Sequence, residues 1–427
     1  MNSKFSLRDL SLFFALLAIA AFFTFAVPGY GFVTPRNLTQ LVVEVSITAT
    51  LAVGMLLVIL PGHIDLSAGS GVGLLGGLAT VLVGGTGWLT KALTNFHAWL
   101  GATFGAKVAA CFPPPPWPDP VAMLVCLVVA MVFWGLMGML VVRERIQAFI
   151  VTLGGMLIFK GLFWRVIESH TIPVIGPTLG KSWPLAVGGQ TFDVPQDWLH
   201  RLTTEYLDAT TGLLLAAVIS LLMLLGAVRG WARRRKHNIA GDDGELTFVK
   251  WLIVAQLLFL FVLVANQYQG VPMPAVICGA VAFAVHTLTR HTRFGRYLYA
   301  IGGNEEAAVI SGIAVKKIVV RAFVLMGVIV AITGFMQTAY AGYTTPDIGN
   351  LMELDAVAAC VIGGVSLRGG RGTVLGVLYG ALIMATLAKG MSLTTFTSRY
   401  PELKYIARGA VLILAVWMDS RLSKRID

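Results

Sequence analysis

The sequence predicts an all-α fold, a polytopic transmembrane helical bundle of 10–12 spans with Gly-interrupted or re-entrant segments and a weak internal repeat. Three observations carry the prediction. The 427 residues are 57% hydrophobic and only 12% charged, too apolar for one water-soluble core of ordinary size. The apolar residues fall in runs near the ~20 residues that a helix needs to cross roughly 30 Å of hydrocarbon. Lys and Arg gather between the runs, predominantly in alternate gaps.

In chain order the runs are 10–27, 39–59, 68–85, 120–141, 148–167, 211–228, 250–265, 273–289, 318–341, 349–366, 372–390 and 404–419. The first follows Lys4 and Arg8 but is longer than a usual signal-peptide core and lacks a convincing cleavage site, so it reads as an uncleaved anchor. The pairs 39–85 and 349–390 suit segments that enter and leave from one side, which would lower the count towards ten. The chain reads as one transmembrane domain, 1–427. Residues 86–119 and 168–210 are expected as periplasmic loops, and 229–249 and 290–317 as cytoplasmic loops. Prolines in "CFPPPPWPDP" deny the first of these a continuous helix, and "RGWARRRKHNIAGDDGELTFVK" reads as a solvated linker.

Charge sets the orientation. Most of the 32 Lys and Arg fall in inside loops or tails, notably Arg233–Lys236, Arg290–Arg296, Lys316, Lys317 and Arg421–Arg425. Arg36, Lys91, Lys107, Lys181, Arg201 and Arg399 fall clearly outside. Both termini are therefore expected to be cytoplasmic. The net charge of +11 is a topology signal; basic residues spread over separate loops, with no recognition motif, argue against nucleic-acid binding. Cys111, Cys126, Cys278 and Cys360 have no CxxC spacing and suggest neither a disulfide framework nor a metal site.

Two motifs mislead. "GPTLGKS" at 176–182 has three residues between its glycines where a phosphate loop has four, and no strand precedes it. "GVGLLG" at 71–76 matches a dinucleotide fingerprint but sits in a lipid-length apolar run. Glycine spacing points to packing instead: Gly69, Gly73 and Gly77, and Gly372, Gly376 and Gly380, recur every four residues and predict smooth stripes for close helix approach. The segments before them, "GHIDLSAGSG" at 62–71 and "GGVSLRGGRG" at 363–372, match at an offset of 301, the weak internal repeat of many transporters. His63 and Asp65 are the costly residues there, since ionisable groups at membrane depth need a partner, water or a function. They either line a polar pathway or, in the case of Asp65, cap the helix beginning near Leu66. Glu44, Glu353 and Asp355 raise the same question nearer the outer side.

The stretch "NEEAAVISG", 304–312, is polar and helix-favouring, and Gly312 permits a sharp turn before the next span. A short helix held across two span ends is a lever. In its EAAxxxG form it resembles the cytoplasmic loop of ATP-binding cassette importer permeases. "GHIDLSAGS", "FIVTLGGMLIFKGL" (149–162), "RFGRYLYAIGGNEEAAVISGI" (293–313), "ELDAVAACVIGGVSLRGGRG" (353–372) and "ILAVWMDS" (413–420) resemble, in order over nearly the whole chain, the monosaccharide permease family of ribose, arabinose and xylose importers. The chain departs from that family in its proline-rich 86–119 insertion and at Arg368.

The resemblance implies a non-catalytic, multi-pass subunit of a bacterial inner-membrane sugar importer, closest to the D-xylose type. It implies a homodimer in lipid, an ABC ATPase partner that carries ATP and Mg, a periplasmic sugar-binding protein, and no cofactor on this chain. It maps Glu306, Ala307, Ala308 and Gly312 onto the ATPase-coupling loop, with Arg293, Asn304 and Glu305 beside them. His63, Asp65, Ser67 and Ser366 are the pathway candidates. An ion-coupled secondary transporter using Asp65 or Glu44 is the alternative; G-x-S-x-G and H-E-x-x-H motifs of membrane enzymes are lacking.

Overall fold

The computed structural model describes residues 7–106, 113–174, 182–187, 190–195, 198–236, 244–394, 399–400 and 402–423. Cys111, most of the 176–182 motif, and residues 237–243 of the expected linker lie outside the described residues. Helix α1 (Leu7–Ala26) leads through a 3-10 turn (Pro28–Val33) to α2 (Pro35–Ile59). Thr34 starts α2, its hydroxyl accepting from the Asn37 N–H, and Pro35 follows at the first helical position, where its missing N–H costs nothing. From Ala49 to Ile59 every residue of α2 is buried, so this helix is central.

Helix α3 (Ala68–Gly84) ends at Gly85, whose left-handed backbone turns the chain by 57° into α4 (Gly87–Phe104). The expected 86–119 loop is thus helical over its first half. Its proline run does exclude helix, and α5 (Asp119–Arg143) starts directly after Pro118. Next come α6 (Ala148–Val166), strands β1 (Ile172–Pro173), β2 (Ser182–Val187) and β3 (Gln190–Pro195), α7 (Trp198–Thr204) and β4 (Tyr206–Leu207). Helices α8 (Ala209–Lys236) and α9 (Gly244–Ala265) pair at the periphery, only 17% of each span buried, and they extend through most of the expected 229–249 loop. The chain continues with β5 (Val271–Pro272), α10 (Met273–His291), α11 (Arg293–Gly303), α12 (Glu305–Ile310), α13 (Val315–Ala341), β6 (Tyr343–Thr344), α14 (Met352–Ile362), α15 (Val374–Leu393) and α16 (Leu403–Ser423). The strands form three short antiparallel ribbons, β1–β6, β2–β3 and β4–β5.

The core lies where α2, α3 and α13 meet, with α5 against α13 and the α14–α15 pair against α2. Among the described residues eight helices are long and apolar enough to cross a membrane, or nine with the bent α3–α4 pair as one span. The expected span at 349–366 is instead the 11-residue α14, about 16 Å long at ~1.5 Å per residue and able to cross only half a bilayer. The α2–α3 pair is not re-entrant, because α2 alone is 25 residues long. Cys126, Cys278 and Cys360 are free and buried.

The glycines pack differently from plain stripes. On α3 it is Gly76 that meets a neighbouring helix backbone, opposite Gly334 of α13. Gly73 and Gly77 instead clasp the Phe163 ring of α6, and Gly69 lies under Gly349 and the Glu353 carboxylate. Gly376 and Gly380 receive the C-terminal end of α14, but Gly372 precedes α15 and belongs to a turn.

A side chain at Gly76 would collide with Thr338 and the Gly334 carbonyl, whereas one at Gly226 would meet open space. Overpacking of this kind costs about 1–3 kcal/mol or more. Gly76→Leu is therefore expected to lower the melting temperature of the detergent-solubilised chain by several degrees, and Gly226→Leu to leave it unchanged. Equal melting would dissolve the α3–α13 contact.

Candidate functional site

Two parts of the molecule present functional geometry, one at each end of the bundle. At the first, the Thr292 hydroxyl accepts from the Gly295 N–H and starts α11. Gly295, Leu298 and Ile301 are buried while Arg293 and Arg296 are exposed, so α11 lies amphipathically across the span ends. Asn304 closes α11 and opens α12, its Oδ1 accepting from the Ala307 N–H at 2.9 Å. Glu305 and Glu306 occupy the first turn of α12, where the unpaired N–H groups favour negative charge. Gly312, at φ +78°, terminates the helix, and the Ile313 N–H donates back to the Ala308 carbonyl. Ala308 is buried; Glu305, Glu306 and Ala307 are exposed, and Ile310 is 87% exposed. The helix holds itself by one face and offers acids and branched apolar side chains on the other.

Helix α11, which leads into α12, rests on the repeat. Helix α2 ends with Gly62 left-handed and the His63 N–H donating to the Val58 carbonyl; α14 ends with Gly364 left-handed and the Val365 N–H donating to Cys360. Next, Asp65 Oδ1 accepts from the Ser67 N–H (2.8 Å), and Ser366 Oγ accepts from the Arg368 N–H (3.3 Å). Two turns with the same hydrogen bonding thus follow two helices of the core. They touch: the Gly370 N–H donates to the Leu60 carbonyl at 2.9 Å. Gly302 of α11 lies directly over this junction, where any β-carbon would strike Leu60 and Gly370, and the Tyr299 hydroxyl donates to the Gly372 carbonyl at 2.8 Å.

All four pathway candidates sit at this end. Asp65 is fully buried, Oδ1 taken by the Ser67 N–H and hydroxyl and Oδ2 by the Trp134 indole N–H at 2.6 Å. It caps the turn and ties it to α5. The helix itself begins later, at Ala68, rather than near Leu66. Ser67 and Ser366 are likewise buried within their turns. His63 is half-buried beside Phe323; burial pushes its imidazole below the usual range, and the nearby Glu305 carboxylate opposes that shift.

The opposite end holds a cavity of about 340 Å³ between α2, α13, α14, α15 and α16. That volume falls in the roughly 300–1,000 Å³ range of small-molecule sites. Glu44, Gln337, Tyr340, Asp347, Asn350 and Asp355 give it a polar lining, and none of the four pathway candidates reaches it. Glu44 Oε1 accepts from Lys389 Nζ (3.0 Å) and from the Tyr340 hydroxyl (2.9 Å); Lys389 also donates to Gln40 Oε1 (3.0 Å). Arg408 pairs with Asp355 at 3.5 Å. Carboxylates, amides and phenols converging on one space suit a neutral, hydroxyl-rich solute. Glu44 and Asp355 carried a sequence signal; Gln40, Lys389 and Arg408 did not stand out, although a lysine inside the 372–390 run is itself rare at membrane depth.

Lys389 is nearly buried and Glu44 about a quarter exposed. Lys389→Met, which strands the carboxylate, is expected to destabilise the protein by about 2 kcal/mol, below the ~3–5 kcal/mol of a fully buried pair. Adding Glu44→Gln should recover most of that loss in thermal unfolding. No recovery would mean that the two residues act separately.

A transport-permease family model, "Branched-chain amino acid transport system / permease component", matches residues 198–416. The chain is 34% identical to the xylose transport system permease protein XylH of Escherichia coli K12, over 96% of this chain and 91% of that protein. It is 34% identical to the protein of the same name from Haemophilus influenzae, over 98% of each chain, and 30% identical to the E. coli K12 ribose import permease protein RbsC, over 95% and 92%. No solved structure matches. With relatives this similar over nearly their whole length and eight or more spans in its own bundle, the chain belongs to this family of multi-pass membrane transport permeases.

Proposed function

We propose that the chain is the membrane-spanning subunit of an ATP-binding cassette importer that carries a monosaccharide, D-xylose or a close relative, across a bacterial inner membrane. The relatives' roles in xylose and ribose transport support the solute class. The observation that carries the mechanism is the seating of α11: Gly302 sits on the junction between the turn that ends α2 and the turn that precedes α15. Both α2 and α15 also line the polar cavity. Leu60 and Glu44 lie sixteen residues apart on one continuous helix, about 24 Å at ~1.5 Å per residue.

Under this reading an ABC ATPase grips the exposed face of α12, with Glu305, Glu306, Val309 and Ile310 as the handle. ATP and Mg belong to that partner. Closure of the ATPase moves α11, and the shared turns carry the displacement to the helices around the cavity, altering which end is open. A sugar-binding protein delivers solute to the cavity end, and a second copy of this chain completes the assembly. The cations at the α12 end, Arg143, Arg145, Arg293, Arg296, Lys316 and Lys317, support placing that end and both termini in the cytoplasm. Glu44 is already engaged by Lys389 and Tyr340, which disfavours it as the proton site of a secondary transporter.

In proteoliposomes carrying the ATPase and the binding protein, Glu306→Lys is expected to cut ATP-driven xylose uptake at least tenfold while chain insertion stays normal. Uptake that persists in the variant would sink the coupling role of α12. Uptake that needs no ATPase and collapses with an uncoupler would instead establish ion coupling.

A further inference from the structure

Beside the lever, α5 and α13 pack closely along their length and leave a shallow depression at the end nearer α12. Gly138 is the close approach next to it, facing the Val320 α-carbon and the Phe323 β-carbon. Beyond it lies a shallow, open depression of about 350 Å³, bordered by Met139 and Val142 on α5 and by Lys316, Lys317, Val320 and Arg321 on α13. One wall is apolar and faces outward from the bundle: Met139 is 48% exposed, and its neighbours Leu136 and Leu140 are exposed to a similar degree. The other wall carries three exposed cations, and no carboxylate among the described residues pairs with them. The nearest acid on α5, Glu144, pairs with Arg143.

Lys317 and Arg321 stand one helical turn apart on the same face, a like-charge spacing that weakens a helix unless something answers it. The positive bias of cytoplasmic loops does not account for the arrangement. Topology asks only for charge near the span end, whereas here the charge lines a groove whose other wall is bare hydrocarbon surface. We propose that this depression binds an anionic phospholipid, its phosphate held by Lys316, Lys317 and Arg321 and an acyl chain lying along Met139, Val142 and Val320. A basic pocket between spans at the membrane surface has the charge and the depth for such a headgroup. The site adjoins Gly312, where α12 joins α13, so the bound lipid braces the root of the lever. Lipid binding here does not depend on which solute is carried.

The test uses native mass spectrometry and lipid titration of the full chain in detergent, with phosphatidylglycerol, phosphatidylcholine and inorganic phosphate as probes. The wild type is expected to retain phosphatidylglycerol over phosphatidylcholine, and inorganic phosphate should not displace it. Replacing all three cations (Lys316→Gln, Lys317→Gln, Arg321→Gln) should weaken phosphatidylglycerol binding on the order of 100-fold, about fivefold for each cation. Val142→Trp, which fills the groove and keeps the charges, should weaken it at least tenfold and serves alone if the triple variant fails to insert. Equal retention of the two lipids, or displacement by phosphate, would overturn the proposal. So would a triple variant that keeps the lipid but no longer holds the ATPase, since the cations would then be a protein contact.

Discussion

The hydrogen bond from the Gly370 N–H to the Leu60 carbonyl, with Gly302 seated over it, is the contact on which the bundle's organisation turns. Three backbones meet there at a distance only glycine allows. Gly369 and Gly370 adopt left-handed conformations that a side chain would strain, and Gly302 has no room for a β-carbon. The end of a full-length core helix, the loop after a half-length helix and the surface helix α11 that leads into α12 are thereby held as one unit. An alanine at any of the three would have to separate them.

Around this junction the apolar packing is ordinary, and the polar groups are placed so that few are left unanswered. Asp65 would be prohibitive at its depth were it not ringed by the Ser67 N–H, the Ser67 hydroxyl and the Trp134 indole. At the cavity end Lys389, Glu44, Tyr340 and Gln40 satisfy one another across α2, α13 and α15. The first network is closed, both Asp65 oxygens taken by protein donors. The second borders open space, with Glu44 on the cavity lining.

Much of the architecture was legible because lipid imposes length and composition on a span. The runs at 39–59, 120–141 and 318–341 correspond to α2, α5 and α13, where a long apolar stretch ends in charge or in a helix stop. The short helix α12 was legible too: Asn304, Glu305, Glu306 and Gly312 are a cap, two favourable first-turn acids and a left-handed stop, all local signals. Failures came where tertiary context decides. Within 349–366 the apolar residues outweigh the one local stop signal, Gly363–Gly364, yet the helix ends at Ile362, where Gly364 turns left-handed and Gly363 packs on Gly376 of α15. The capping reading of Asp65 needed no distant partner, but Trp134, 69 residues away, gave no local signal, and the cavity stayed hidden because its lining comes from five separate elements.

The two repeats share a side-chain-capped turn and a left-handed glycine at the helix stop, the glycine (Gly62, Gly364) lying one position out of register, but only the second adds a loop, from Gly369 to Thr373, before its next helix resumes. That extra length lets the second turn reach across and clasp the first, forming something like a washer beneath a bolt head. Any displacement that kept this contact would have to carry both turns together, and a state with only one of them displaced would first have to break it.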